Sequence, residues 1–267
     1  MKKSVLTGIL AMVMLMALTM AGAETLKVGM ECNYAPFNWT QTEESDFTVP
    51  IEAGGFADGY DVQVARLVAE QLGMELEIVK TEWDGLPLAL MSGKIDAIIA
   101  GMSPTADRKM TIDFTDPYYE SDLVIVVRGD SEYAGATSLK DFEGAKITGQ
   151  LNTFHYSVID QIPGVDKQTA LETFPAMIVA LASGRIDGYV SERPGALSAV
   201  VSNPELTFTA FGEGQGFETQ AEDTTVAIGV RKGSELLAPI NEILKDLEKE
   251  TRVQMMDDAM ARQPVNQ

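Results

Sequence analysis

The sequence predicts an α/β protein built as two similar lobes, each a mostly parallel sheet flanked by helices. Three observations carry this. Short apolar runs rich in Val, Ile and Leu alternate with segments whose apolar residues recur at helical spacing, and such alternation builds parallel sheets covered by helices. The octad Ala-Leu-x-Ser-Gly-Lys/Arg-Ile-Asp occurs at 89–96 and again at 180–187, so one helix–Gly–strand unit is used twice. The two copies end differently. The first runs on to Ser103 and Arg108, which suit an anion; the second runs to Ser191 and Glu192, which suit a cation. Two lobes of opposite charge describe a receptor for a zwitterion held between them.

Residues 1–23 carry the marks of a secretory signal peptide. Lys2 and Lys3 precede an apolar run, and Ala21-Gly22-Ala23 fits a small-residue cleavage site. The apolar run is long for a signal, so an uncleaved anchor is the alternative. No Cys follows the site, which argues against a lipid anchor and for a soluble periplasmic monomer. With a net charge of −20, the chain would be repelled by nucleic acid and anionic lipid. Cys32 is the only cysteine, so no internal disulfide forms, and His155 is the only histidine, so no metal cluster is expected. No phosphate loop or dinucleotide fingerprint is present, and neither a cofactor nor a catalytic residue is predicted.

Taken in order, 25–30 alternates as a first strand and ends in 31–37, a loop with an acid and two aromatics. Residues 38–58 are polar and read as a surface excursion. Asp61 caps a helix whose face is Val62, Ala65, Val68, Ala69 and Leu72, with Gly73 as its stop. A strand at 74–80 follows. Leu86, Leu88, Ala89, Leu90 and Met91 give a helical face, and Gly93 suits a left-handed C-cap. The isoleucine-rich 95–100 is a buried strand. Ser103 then reads as an N-cap with Pro104 at the first helical position, which would aim free N–H groups, hydroxyls and the Arg108 fork at a carboxylate. The alternative is that Ser103 only caps and Arg108 is solvated.

Beyond Tyr119, 123–127 and 145–148 are strands, with a short helix at 138–144 between them. A loop at 149–153 leads to a helix at 154–161. The repeat supplies a helix over 169–183 and a strand over 185–190. Residues 212–223 are a Gly- and acid-rich connection, 225–230 a last strand, and 236–261 one long amphipathic helix, with 262–267 frayed. Ligands of open α/β sheets sit outside the carboxyl ends of the strands. Here those ends are 31–37, 81–85, 101–108, 149–154 and 191–194, which converge only if two lobes face each other.

Gly-Tyr-Asp-Val (59–62), Trp-Asp-Gly-Leu (83–86), the run 92–103, Arg108 and Asp-Phe-Thr-Asp-Pro-Tyr-Tyr (113–119) together resemble the polar amino-acid-binding proteins of bacterial ABC uptake systems, extracellular solute-binding family 3. The resemblance spans essentially the whole chain after the signal. It implies a type II periplasmic binding fold with two hinge strands, lobe 1 being 24–117 plus 224–267 and lobe 2 being 118–223. It further implies that Arg108 pairs with a ligand α-carboxylate, aided by Gly101, Ser103 and Thr153, and that Glu192 takes the α-ammonium. Tyr34 and Trp83 would sandwich the side chain, Met102 would lie along its edge, and Glu31 would read its far end. Read alone, Tyr34 and Trp83 suit a core better than a ligand site. Glu192 stands where many relatives have Asp, and Asn152-Thr153 where Gly-Thr is usual. The implied function is delivery of a polar L-amino acid to a membrane ABC permease, a basic one (Arg or Lys) first and glutamine next. A dehydratase of the same fold and a sensory module are the alternatives.

Overall fold

The computed structural model describes residues 23–264. Residues 1–22 of the expected signal peptide lie outside that range. β1 (Thr25–Met30) is followed by β2 (Asn33–Tyr34), β3 (Asn38–Gln41), β4 (Val49–Pro50) and β5 (Phe56–Asp58). α1 (Tyr60–Leu72) leads to β6 (Glu75–Lys80), α2 (Leu86–Met91) to β7 (Ala97–Ile98), and α3 (Ala106–Lys109) to β8 (Ile112–Glu120). Then come β9 (Leu123–Arg128), β10 (Lys146–Thr148), α4 (Phe154–Ser157), β11 (Asp166–Lys167), α5 (Phe174–Ala182), β12 (Gly188–Glu192), α6 (Arg193–Ser202) and β13 (Leu206–Thr209). β14 (Thr225–Arg231), α7 (Leu237–Asp246) and α8 (Lys249–Arg262) complete the chain.

Two five-stranded sheets share one plan. Their orders are β6-β1-β7-β14-β8 and β11-β10-β12-β9-β13. In each, the first three strands are parallel and the fourth runs antiparallel to both neighbours. That fourth strand is the one that has just crossed from the other lobe: β9 follows β8, and β14 follows β13. The chain therefore passes between the lobes twice. The inner strands β7, β9, β12 and β14 are buried on both faces, as covered sheets require, while the edge strands β6, β8 and β11 are partly exposed. In β9, Val124 and Val126 join one hydrophobic cluster while Leu123, Ile125 and Val127 join the other.

The repeated octad folds identically in both places. Gly93 (φ 78°) and Gly184 (φ 73°) take the left-handed conformation that ends the helix and turns the chain into the strand. Lys94 N–H bonds the Ala89 carbonyl, and Arg185 N–H bonds that of Ala180. Asp96 Oδ2 accepts from Lys27 N–H at 3.1 Å, and Asp187 Oδ2 from Lys146 N–H at 2.9 Å. Both aspartates pin the incoming strand to its neighbour.

Several expectations are corrected. Residues 38–58 do not form a loose excursion: strands β2 to β5 pair as an antiparallel annex, with Trp39 and Ala57 buried. Gly59, not Asp61, is the N-cap of α1, and the Asp61 side chain is buried. The helix carrying Arg108 starts at Ala106 behind Thr105, so Ser103 and Pro104 precede it. Leu88 and Met91 are exposed, leaving Leu86, Ala89 and Leu90 to pack α2. The helix expected over 169–183 starts only at Phe174, where Thr173 Oγ1 caps Ala176 N–H. The helix expected over 154–161 tightens to a 3-10 turn at Val158–Gln161. The long C-terminal helix is two helices. Arg252 holds the break, donating to the carbonyls of Leu244, Leu247 and Pro117. Of the end expected to fray, Arg262 and Gln263 are anchored, and 265–267 lie outside the described residues. Among the described residues no helix is long and apolar enough to cross a membrane.

Candidate ligand-binding cleft

The carboxyl ends of both sheets meet at one cleft. Tyr34 Oη donates to Glu192 Oε2 at 3.0 Å, Gln150 Nε2 donates to both oxygens of Glu31 at 3.2 Å, and Arg108 Nη2 donates to the Asn152 carbonyl at 3.3 Å. The Tyr34 ring also stacks on Phe174 with centroids 4.1 Å apart. These contacts draw the lobes together and leave a small cavity of about 10 Å³ for the centre of a water molecule. Tyr34, Trp83, Gly101, Ser103 and Arg108 line it from one lobe, and Gln150, Thr153, Phe154 and His155 from the other. That is room for about one water, so the lobes must part to admit an amino acid.

The cationic wall is Arg108. Its Nη1 donates to the Ser103 carbonyl at 2.9 Å, and its guanidinium lies 5.0 Å over the Trp83 ring. Burial lowers its pKa to about 10, opposed by the attraction of Glu192, so it stays charged at neutral pH. Ser103 is fixed from the crossover, its hydroxyl donating to the Asp223 carbonyl at 3.0 Å. Thr153 donates to the Gln150 carbonyl and shapes the facing loop. Asn152 sits at φ 55°, a left-handed position where Asn is the best substitute for Gly. This is how Asn-Thr can serve where Gly-Thr is usual, and the turn presents the carbonyl that Arg108 reaches.

The anionic wall is Glu192, at the N-cap of α6, where the helix dipole favours negative charge. Its Oε2 is held by Tyr34; its Oε1 is buried and has no hydrogen-bond partner in the protein. Gly195, one turn on, lets the tyrosine approach: a Cβ there would lie 3.0 Å from the Tyr34 ring. His155 Nε2 is 3.8 Å from Glu192 Oε1, and neither ring nitrogen of this buried histidine has a partner.

At the far end Glu31 is buried behind Gln150, which also donates to the Glu172 carbonyl at 3.1 Å. Burial pushes the Glu31 carboxyl up to about 7, against the lowering effect of the Gln150 amide. Behind the cleft, Asp61 accepts from Tyr118 Oη and Asn38 Nδ2, both at 2.7 Å. Tyr118 in turn accepts from Gly101 N–H, and Asn38 from Cys32 N–H. One carboxylate thus braces both loops, and burial raises its pKa to about 7.

Six of the nine candidate residues, Tyr34, Trp83, Gly101, Ser103, Arg108 and Thr153, line one cavity. Glu192 reaches it through Tyr34 and His155, and Glu31 through Gln150. Met102 is buried in the hydrophobic cluster and is not among the lining residues. Tyr34 stacks on Phe37 and Phe174, whereas Trp83 carries Arg108. Gln150, His155, Phe174 and Asp61 escaped sequence reasoning. Gln150 and His155 flank the Asn152-Thr153 turn, and their place at a strand end was the available signal.

A cleft between two pseudo-symmetric lobes, with opposite charges facing each other, can be compared with known proteins. The family model for bacterial extracellular solute-binding proteins, family 3, matches residues 26–259. The chain is 34% identical over 196 residues to a probable histidine-binding protein of Campylobacter jejuni, covering 72% of this chain and 70% of that one. It is 30% identical over 233 residues to the arginine-binding extracellular protein ArtP of Bacillus subtilis, covering 85% and 82%. A solved ancestral arginine-binding protein bound to glutamine superposes with a TM-score of 0.72 at 31% identity, over 88% of this chain and 96% of that one. The fold is that of the type II periplasmic binding proteins. With its motifs, its two crossing strands and its cleft all accounted for, the chain belongs to the bacterial extracellular solute-binding proteins, family 3.

Proposed function

We propose that the protein is a periplasmic receptor that captures a basic L-amino acid, arginine first, between its lobes and delivers it to an ABC permease. The carrying observation is Glu192 Oε1, a buried carboxylate oxygen without a protein partner, 3.8 Å from His155 Nε2, whose ring lines the same cavity as the Arg108 guanidinium. A zwitterion shut in a cleft loses the water around both charges, and each unpaired ion would cost several kcal/mol. Arg108 takes the α-carboxylate with Ser103, Gly101 and Thr153; Glu192 takes the α-ammonium. Glu31 supplies negative charge for a cationic side chain, whose donors replace the Gln150 amide. Because the two charges lie on different lobes, only the closed form pairs both, so ligand shifts the protein toward the shape a permease reads. The protein acts as a monomer and does no chemistry on its ligand, with lobe 1 taken as 24–117 plus 224–267 and lobe 2 as 118–223.

Glutamine is the second reading. The Gln150 side chain already rests an amide on Glu31, and an amide ligand would take the same contact. Titration calorimetry against the amino acids decides between them. Tight binding of arginine is expected; preference for glutamine selects the second reading, and binding of no amino acid by folded protein rejects both.

A further inference from the structure

We propose that His155 belongs to the ammonium subsite and that the ligand's α-ammonium enters that subsite in exchange for a proton. The inference rests on the amino-acid-receptor reading and deepens it. Among the described residues, the buried side-chain atoms without a hydrogen-bond partner are three: His155 Nδ1, His155 Nε2 and Glu192 Oε1. They belong to two residues that face each other at 3.8 Å, His155 lining the cavity itself. Buried polar atoms are nearly always paired, so a concentration of orphans at one wall of a cavity marks a ligand contact.

The surroundings fix what His155 can do. Glu192 comes from the end of β12 and is held on its other oxygen by Tyr34 Oη from β2. Phe154 and Phe174 pack against the imidazole with centroids at 4.5 and 6.2 Å and carry no charge. Arg108 lines the cavity from α3, Glu31 lies beyond Gln150, and Asp61 is buried behind the loop of Gly101. The partner of opposite charge within ion-pair reach of His155 is therefore Glu192.

Imidazole is the side chain whose charge ordinarily changes between pH 5 and 8. Protonated, His155 is a buried counter-ion for Glu192. Neutral, its Nε2 becomes an acceptor, and one ammonium can donate to both Nε2 and Glu192 Oε1. On binding, the imidazolium N–H bond breaks, its proton goes to solvent, and the ammonium takes its place. One cation leaves the subsite as one enters. The side chain of the ligand plays no part, so the exchange applies to any amino acid the receptor takes.

The single histidine makes the test direct. Its imidazole resonance in an NMR titration of the untagged protein is unambiguous, and is followed without ligand and with saturating L-arginine, or with whichever amino acid calorimetry identifies. The expected result is that ligand moves the imidazole titration down by at least about one pH unit, a tenfold linkage. Calorimetry at about pH 6 in buffers of different ionisation enthalpy should show the parent releasing more protons per ligand than His155→Gln. Glu31 contributes equally to both proteins and drops out of the difference. An imidazole titration unmoved by ligand, or equal proton counts, overturns the exchange while leaving the receptor reading intact. Failure of every amino acid to bind overturns both. The NMR readout uses the parent protein and stands even if the variant does not fold.

Discussion

The two copies of the helix–Gly–strand unit differ in almost nothing until the strand ends, and then in everything that matters to a ligand. Each has the same left-handed glycine, and an aspartate that accepts from the neighbouring strand. An arginine on each crossing strand holds the corresponding carbonyls: Arg231 donates to those of Leu90 and Ile95, Arg128 to those of Leu181 and Ile186. After the strand, the first copy runs through Gly101 to Ser103 and Arg108. The second stops on Glu192 and enters α6 directly. The scaffold is thus indifferent to charge, and a few residues past each strand decide which sign the lobe presents. Truncating either end should therefore have the largest effect. Arg108→Ala and Glu192→Gln each leave one ligand charge buried without its partner, a loss of about 3–5 kcal/mol. Affinity for the proposed arginine ligand should fall by more than 100-fold in calorimetry, with melting temperature nearly unchanged. A loss of less than tenfold in either variant would show that this wall does not meet a ligand charge.

The next effect sharpens the difference between the charge pair, common to any amino acid, and the far end, which chooses among them. Glu31→Gln should weaken arginine binding by about 10–100-fold, the worth of one hydrogen bond to a charged group, and glutamine binding by less than about threefold. The same variant has a stability signature. Burial raises the Glu31 carboxyl from 4.5 to about 7 in the folded protein. Between those values the native chain holds a proton that the unfolded chain has lost, so stability falls as pH rises through the window. The penalty is about 3 kcal/mol once pH exceeds 7. The ligand-free parent should lose more melting temperature between pH 5 and 7.5 than Glu31→Gln does. Parallel profiles would place Glu31 in contact with solvent.

The scaffold was largely legible in the sequence, and the supporting shell was not. Periodicity exposes α1, α2 and the strands because each buries an apolar face, and the octad reveals the twofold plan because both copies must solve one turn. Side chains that work through distant partners leave no local trace. Asp61 looks like a helix cap, yet its partners Tyr118 and Asn38 are 57 and 23 residues away. Ser103 looks like a cap too, but bonds Asp223, 120 residues on. The break at Leu247 has no Gly or Pro to announce it; its cause is Arg252 reaching back to Leu244, Leu247 and Pro117. The annex at 33–58 was hidden because its strands are short and its exposed face is polar.

A smaller effect tests whether the two aspartates of the repeat are as interchangeable as their positions suggest. Asp96 also accepts from Arg231 Nη2 at 3.1 Å, while Arg128 pairs with Asp130 instead of Asp187. Asp187→Ala should cost about 1 kcal/mol, the worth of one backbone hydrogen bond, and Asp96→Ala about 2, because the arginine loses its partner as well. Chemical denaturation reads both, and arginine affinity should stay within twofold of the parent. Equal costs would mean that the Arg231 pair contributes nothing.

The smallest expected effect lies outside both copies, where the end of the chain ties one lobe to the other. Arg262 donates to both oxygens of Asp58 at 3.2 Å and lies over the Phe47 ring at 4.1 Å, which fixes it to the first lobe. The next residue, Gln263, bonds the second: its Oε1 accepts from Ser198 Oγ, and its Nε2 donates to the Ser198 carbonyl at 3.4 Å. Both Gln263 and Ser198 are buried, so these bonds exist only while the lobes are together. Opening the cleft hydrates them. Gln263→Ala should then cost about 1 kcal/mol in the closed form and little in the open one. By linkage, the affinity for arginine falls about fivefold, and the loss appears in the dissociation rate, since the open form that first meets ligand is unchanged. Stopped-flow measurement separates the two rates. A fall in the association rate with dissociation unaltered would assign Gln263 to capture instead of retention, and would remove the tail from the comparison of closed and open lobes.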